Sequence, residues 1–212
     1  LVLYDLVHNT VITDPRFNGP ASFETFPAWA PDGKRLYYCT APARQLPKRL
    51  KEIKYSICSV SFNPDNGSFG ETIDTIYTAH NKSASDNQYL LFTESDYATF
   101  PIWHKEADLK MISLQGSAPV DTDILNSTDV ESYHSWSSNG RWIIFSSRRL
   151  DGLYTRFFIA HLDKNKKFSK PFLLPQKDPD ENNLRMKSFN IPEFIKDKIT
   201  ITRSQLDHTV TD

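Results

Sequence analysis

Short apolar and aromatic runs, each closed by Gly, Asn, Asp or Pro, recur along the whole chain. Leu36-Tyr37-Tyr38, Tyr89-Leu90-Leu91-Phe92 and Trp142-Ile143-Ile144-Phe145 are too short for helices and are rich in strand-favouring residues. Their apolar positions are consecutive rather than alternate, which predicts strands covered on both faces. No segment holds a helical period over about 11 residues.

The runs also repeat. The ten residues Pro31–Thr40 align without a gap with those starting at Ser85 and at Ser138, so that Asp32, Asp86 and Asn139 stand 54 and 53 residues apart. A second track, Leu3–Leu6, Ile57–Val60, Met111–Leu114 and Ile159–Leu162, steps by 54, 54 and 48 residues. In the first track an Asp-Gly or Asn-Gly turn precedes a strand, since a tight reversal needs the positive φ that Gly or Asn supplies. The second track leads through another turn (Asn63–Gly67, Asp163–Lys166) to an outer strand such as Thr10–Thr13 or Pro171–Leu174. With a short strand before each first turn, every unit has four antiparallel strands. A period near 50 then predicts an all-β chain of β-propeller blades. The units are 1–14 (end of a blade), 22–78, 79–125 and 126–176 (three blades), and 183–212 (start of a last blade and tail). Two arrangements fit: part of a larger ring, or closure at four blades by pairing 188–194 and 198–202 with the first two strands.

The residues Trp29-Ala30-Pro31-Asp32-Gly33-Lys34 and Trp136-Ser137-Ser138-Asn139-Gly140-Arg141 resemble the Trp-Ser-Pro-Asp-Gly-Lys repeat of TolB-like propellers, the Pro-Asp, WD40-like repeat of bacterial envelope proteins. The second copy, continuing through Arg148-Arg149 into Asp151-Gly152-Leu153-Tyr154, is similar to propeller proteins of Bacteroidetes. The resemblance covers residues 1 to about 195. It implies six blades in an intact ring, an envelope or periplasmic location with any signal peptide outside this chain, and an accessory role towards a protein or cell-envelope partner. One copy departs: no Trp stands three residues before Asp86, so a shortened inner strand is expected there. The motif itself is architectural, with the Trp filling space between blades and the Asp making the turn.

Composition narrows the function. A formal charge of -1, from 25 basic and 26 acidic residues, argues against a general nucleic-acid binder. A mean hydropathy of -0.50 and the absence of a long apolar run argue against a membrane-spanning helix. With 14 Phe, 9 Tyr and 4 Trp the chain is not one that stays disordered. Serine-hydrolase elbows, His-Glu-x-x-His and Cys-x-x-Cys are all missing.

Two sets of residues remain as candidates. Tyr97, Phe100, Trp103 and His104 in one long connection, and Arg148, Arg149, Tyr154 and Arg156 in the next, have the composition of a partner surface. Glu24 and Glu131, two periods apart, and His134 are expected to line the central channel. The leading expectation is a non-catalytic scaffold without cofactor. The alternative is a propeller enzyme or carbohydrate-binding module, resembling polysaccharide lyases, with a metal in the channel. Finally, an antiparallel pairing whose residue numbers sum to 97 would set Cys39 opposite Cys58 for a disulfide; otherwise the two are small buried hydrophobes.

Overall fold

The computed structural model describes residues 1–43, 48–78, 82–84, 88–97, 100–116, 118–196, 198 and 200. It is an all-β structure of one two-stranded ribbon and three four-stranded antiparallel sheets. The ribbon is β1 (Leu3–Asp5) and β2 (Thr10–Ile12). The first blade is β3 (Ser22–Trp29), β4 (Arg35–Pro42), β5 (Ser56–Asn63) and β6 (Ser68–Thr78). The second is β7 (Lys82–Ala84), β8 (Tyr89–Glu94), β9 (Asp108–Ser113) and β10 (Pro119–Val120). The third is β11 (Glu131–Trp136), β12 (Trp142–Ser147), β13 (Arg156–His161) and β14 (Phe172–Leu173). Within each blade the strands pair in chain order. β7 has three described residues where β3 has eight and β11 six; residues 79–81 before it lie outside the described residues. Its turn, residues 85–87, lies outside the described residues, as do His80 and the tail from 201.

Successive strand residues point to opposite faces, and both faces are covered. In the first blade Leu36, Tyr38, Cys58 and Val60 pack towards the ribbon with Leu1, Phe17 and Phe69. Ile57 instead meets Leu90, Phe92 and Ile112 of the second blade. That blade turns Leu91, Leu109 and Met111 towards Ile143, Phe145, Phe158 and Ala160 of the third. The consecutive apolar runs thus arise where a sheet is packed against neighbours on both faces, as the second blade is between the first and the third. Each fully buried Leu or Phe contributes about 1.5–3 kcal/mol.

The first turns have one geometry. The Asp32 carboxylate accepts from the Lys34 N–H at 2.9 Å and Gly33 sits at φ +69°; Asn139 accepts from the Arg141 N–H at 3.0 Å and Gly140 sits at φ +64°. The innermost strands of the first and third blades share a bulge. One extra residue on β3 and on β11 interrupts the ladder, at Phe26 (φ +52°) and Tyr133 (φ +41°), exactly two repeats apart. For bulky side chains this left-handed backbone is strained by about 1–3 kcal/mol.

Two expectations are corrected. In the β4–β5 ladder Cys58 faces Tyr38 and Cys39 faces Ile57, so the numbers sum to 96, not 97. The thiols therefore lie on opposite faces of the sheet, in separate clusters, and do not bridge. Two titratable thiols in denaturant without reductant are expected; a mass increase of two hydrogens on reduction would contradict the register. The expected last inner strand is not seen among the described residues: 183–196 form no strand and β1 pairs only with β2, while 197, 199 and the residues from 201, on which the four-blade closure also depends, lie outside the described residues. The α1 helix (Glu181–Leu184) is the sole α-helix among the described residues, and none is long and apolar enough to cross a membrane.

Candidate functional site

Because neighbouring strands run antiparallel, the connection from second to third strand and the entry into the first strand open on the same rim of each blade. On this rim the second and third blades enclose a cleft of about 640 Å³. Three segments wall it: the β8–β9 loop, the β12–β13 loop with Tyr133 below it, and residues 188–191 after the third blade.

The β8–β9 wall is built on a 3-10 turn, Pro101–Trp103, entered through Phe100 in the left-handed region at φ +58°. The Trp103 N–H donates to the Phe100 carbonyl at 3.0 Å and the His104 N–H to that of Pro101 at 2.9 Å. Phe100 and Trp103 consequently project together, ring centres 5.9 Å apart, and are 58% and 79% exposed. Tyr97 and His104 serve the base of the loop instead. Their rings meet edge-on at 4.6 Å, and His104 Nδ1 lies 3.1 Å from Glu106 Oε1.

In the β12–β13 wall, Asp151 Oδ1 accepts from the N–H groups of Leu153 and Tyr154, both at 2.8 Å. Burial works against this carboxylate's charge, but these backbone donors and the nearby Arg156 hold its pKa below the ordinary value. The turn leaves Leu153 70% exposed at the cleft. Arg148 lines the cleft and donates to the Ile102 carbonyl across it.

Arg149 and Arg156 leave the expected partner surface, because both are spent inside the third blade. The Arg149 guanidinium lies 4.8 Å from the Phe158 ring centre, pairs with Glu131 at 2.9 Å and reaches the Leu125 carbonyl. Arg156 is fully buried. It donates to the carbonyls of Asn182 (2.8 Å), Arg185 (2.6 Å) and Lys187 (3.2 Å), with Tyr154 packed against its guanidinium. It is the clamp that lays the tail on the third blade. The clamped tail continues through Phe189, which stacks on Phe157 at 4.7 Å, and Asn190, whose carbonyl accepts from Ser146 Oγ at 2.8 Å.

Of the expected channel residues, Glu24 and Glu131 are held within their own blades, whereas His134 reaches the neighbouring one. Glu24 accepts from Ser22 Oγ at 2.5 Å and pairs in register with Thr40. Glu131, in the equivalent place opposite Ser147, is fully buried rather than solvent-lining. Its carboxylate accepts from Ser127 N–H (2.8 Å), Ser127 Oγ (2.7 Å) and Ser147 Oγ (2.8 Å). Burial nevertheless outweighs these donors and Arg149 and raises its pKa. His134 Nε2 lies 3.1 Å from the Leu91 carbonyl of the second blade. Among the described residues no three His, Cys, Asp or Glu side chains gather to hold a metal, so these residues do not fit the metal of the enzyme alternative.

Sequence reasoning missed Tyr133, Leu153, Phe189 and Ile191. A signal existed for Tyr133, which occupies the same repeat position as Phe26 and whose phenol pKa is raised by burial. None existed for the tail, whose path no repeat dictates.

The chain matches no known protein-family model and no curated protein sequence. Among solved structures it is similar to an oligogalacturonate lyase in complex with manganese, at 11% identity and a TM-score of 0.56, over 82% of this chain and 48% of that one. It is also similar to TolB from Acinetobacter baumannii (18% identity, TM-score 0.43, 69% of this chain and 31% of that one). A third is prolyl oligopeptidase B from Galerina marginata (11%, 0.45, 78% and 24%). The chain thus spans less than half the length of each. The lyase likeness, with the three successive four-stranded sheets, shows a β-propeller fold and nothing finer.

Proposed function

We propose that this chain is part of a non-catalytic, envelope-associated propeller that engages a protein partner through the rim cleft. The observation that carries this reading is the exposure of Phe100, Trp103, Leu153 and Ile191 around one concavity. Clustered exposed aromatic and aliphatic side chains beside an Arg are the composition of a binding surface rather than of a solvated loop. The envelope location follows the resemblance of the Pro-Asp-Gly repeats to TolB-like propellers.

The test is site-specific photo-crosslinking in the native host. A photoreactive residue at position 103 or 153 is expected to give a discrete protein adduct, and one at position 164, in the turn on the opposite rim, none. Adducts absent from 103 and 153, or equal at 164, would overturn the reading. The enzyme alternative predicts instead a thermal shift with divalent ions that is lost in His134→Ala.

A further inference from the structure

We infer that the rim cleft recognises an extended peptide segment in which apolar side chains flank a carboxylate, and that Arg148 receives the carboxylate. This rests on the reading of the cleft as a partner site and names the partner's chemistry.

Charge complementarity is the argument. Among the described residues, Arg148 is the one side chain lining the cleft that is charged at neutral pH. The neighbouring arginines each have a carboxylate: Arg149 has Glu131, Arg156 has Asp151 at 3.8 Å, and Arg185 has Glu181. Arg148 makes no ion pair among the described residues; its named partner is the Ile102 carbonyl. That bond fixes the guanidinium and uses one of five N–H donors. A fixed planar fork favours bidentate carboxylate binding, and apolar walls strengthen the attraction by excluding water. On either side lie the Phe100–Trp103 pair and Leu153 with Ile191, which suit apolar side chains before and after the acidic residue. Two polar groups of the lining are engaged within the protein: Ser188 Oγ accepts from Thr155 N–H, and the Asn190 carbonyl accepts from Ser146 Oγ.

The test is an array of blocked nonapeptides with Leu, Ile or Phe flanking a central Glu, matched against Gln and Lys at the centre and read by fluorescence anisotropy. Glu peptides are expected to bind about tenfold tighter than their Gln counterparts. Arg148→Gln should remove that preference, Arg148→Lys should keep part of it, and Trp103→Ala should weaken both series alike. In the parent protein the Glu-over-Gln ratio should shrink as salt is raised, a measurement that needs no variant. Equal binding of Glu and Gln peptides, or a preference that survives Arg148→Gln, would overturn the inference. So would binding of a uronic-acid oligosaccharide but of no peptide. If crosslinks still form at position 103, the partner site stands and only its charge preference fails. If they do not, both fail.

Discussion

Arg156→Ala is expected to cost about 3 kcal/mol and to free residues 182–190 from the third blade. The guanidinium is fully buried and holds three tail carbonyls, while its nearest carboxylate, Asp151, is 3.8 Å away. Alanine removes the donors and leaves a cavity between β13 and the tail. Arg156→Met keeps most of the volume without the charge, so it should recover roughly half of the stability yet leave the tail equally loose. Urea denaturation reads the first effect, and amide hydrogen exchange across 182–190 reads the second. Both variants with parental protection in the tail would show that packing, through Phe189 on Phe157, holds it without the clamp. Because the tail supplies one wall of the cleft, either variant should also weaken whatever binds there.

Glu131→Ala is expected to be the more damaging change, at about 4 kcal/mol in urea. It would strip the acceptor from two serine hydroxyls and leave Arg149, only 17% exposed, without its carboxylate. Glu131→Gln separates shape from charge. Burial raises the Glu131 pKa in the folded chain above the ordinary carboxylate value. The folded state therefore takes up this proton more readily than the unfolded one. Glu131's contribution is fully present below the unfolded pKa and is lost as pH rises through the folded pKa. The Tm difference between Glu131→Gln and the parent should thus move in the variant's favour from pH 4.5 to 7.5. Movement in the opposite sense would mean that the attraction of Arg149 exceeds the cost of burial.

Much of the fold was legible because it rests on local demands. The turns at Asp32-Gly33 and Asn139-Gly140 need a positive φ and a side-chain acceptor at one place, and the consecutive apolar runs need two covered faces. Register was less legible. The pairing that would set Cys39 opposite Cys58 differs from the observed one by a single residue, a shift that no local preference penalises but that sends a side chain to the other face of its sheet, and the two stand instead as small buried side chains. The site divided in the same way. Phe100 and Trp103 were readable because they stand in a long aromatic connection with the composition of a partner surface. Arg149 and Arg156 looked like recognition residues because their burial is imposed by Glu131 and by the tail, partners 18 or more residues distant in the chain. Sequence shows that an Arg has donors; which carbonyls fill them is decided by the tertiary course of the chain.

The inner-strand bulge has a consequence for how such a ring diversifies. Phe26 and Tyr133 have no ladder partner, so backbone pairing does not dictate which side chain stands there, although Phe26 packs edge-on against Tyr55. Glycine or asparagine would even relax the backbone. The first and third blades thus carry an interchangeable fitting beside their rim, open to retailoring of what the surface accepts while the supporting framework stays as it is.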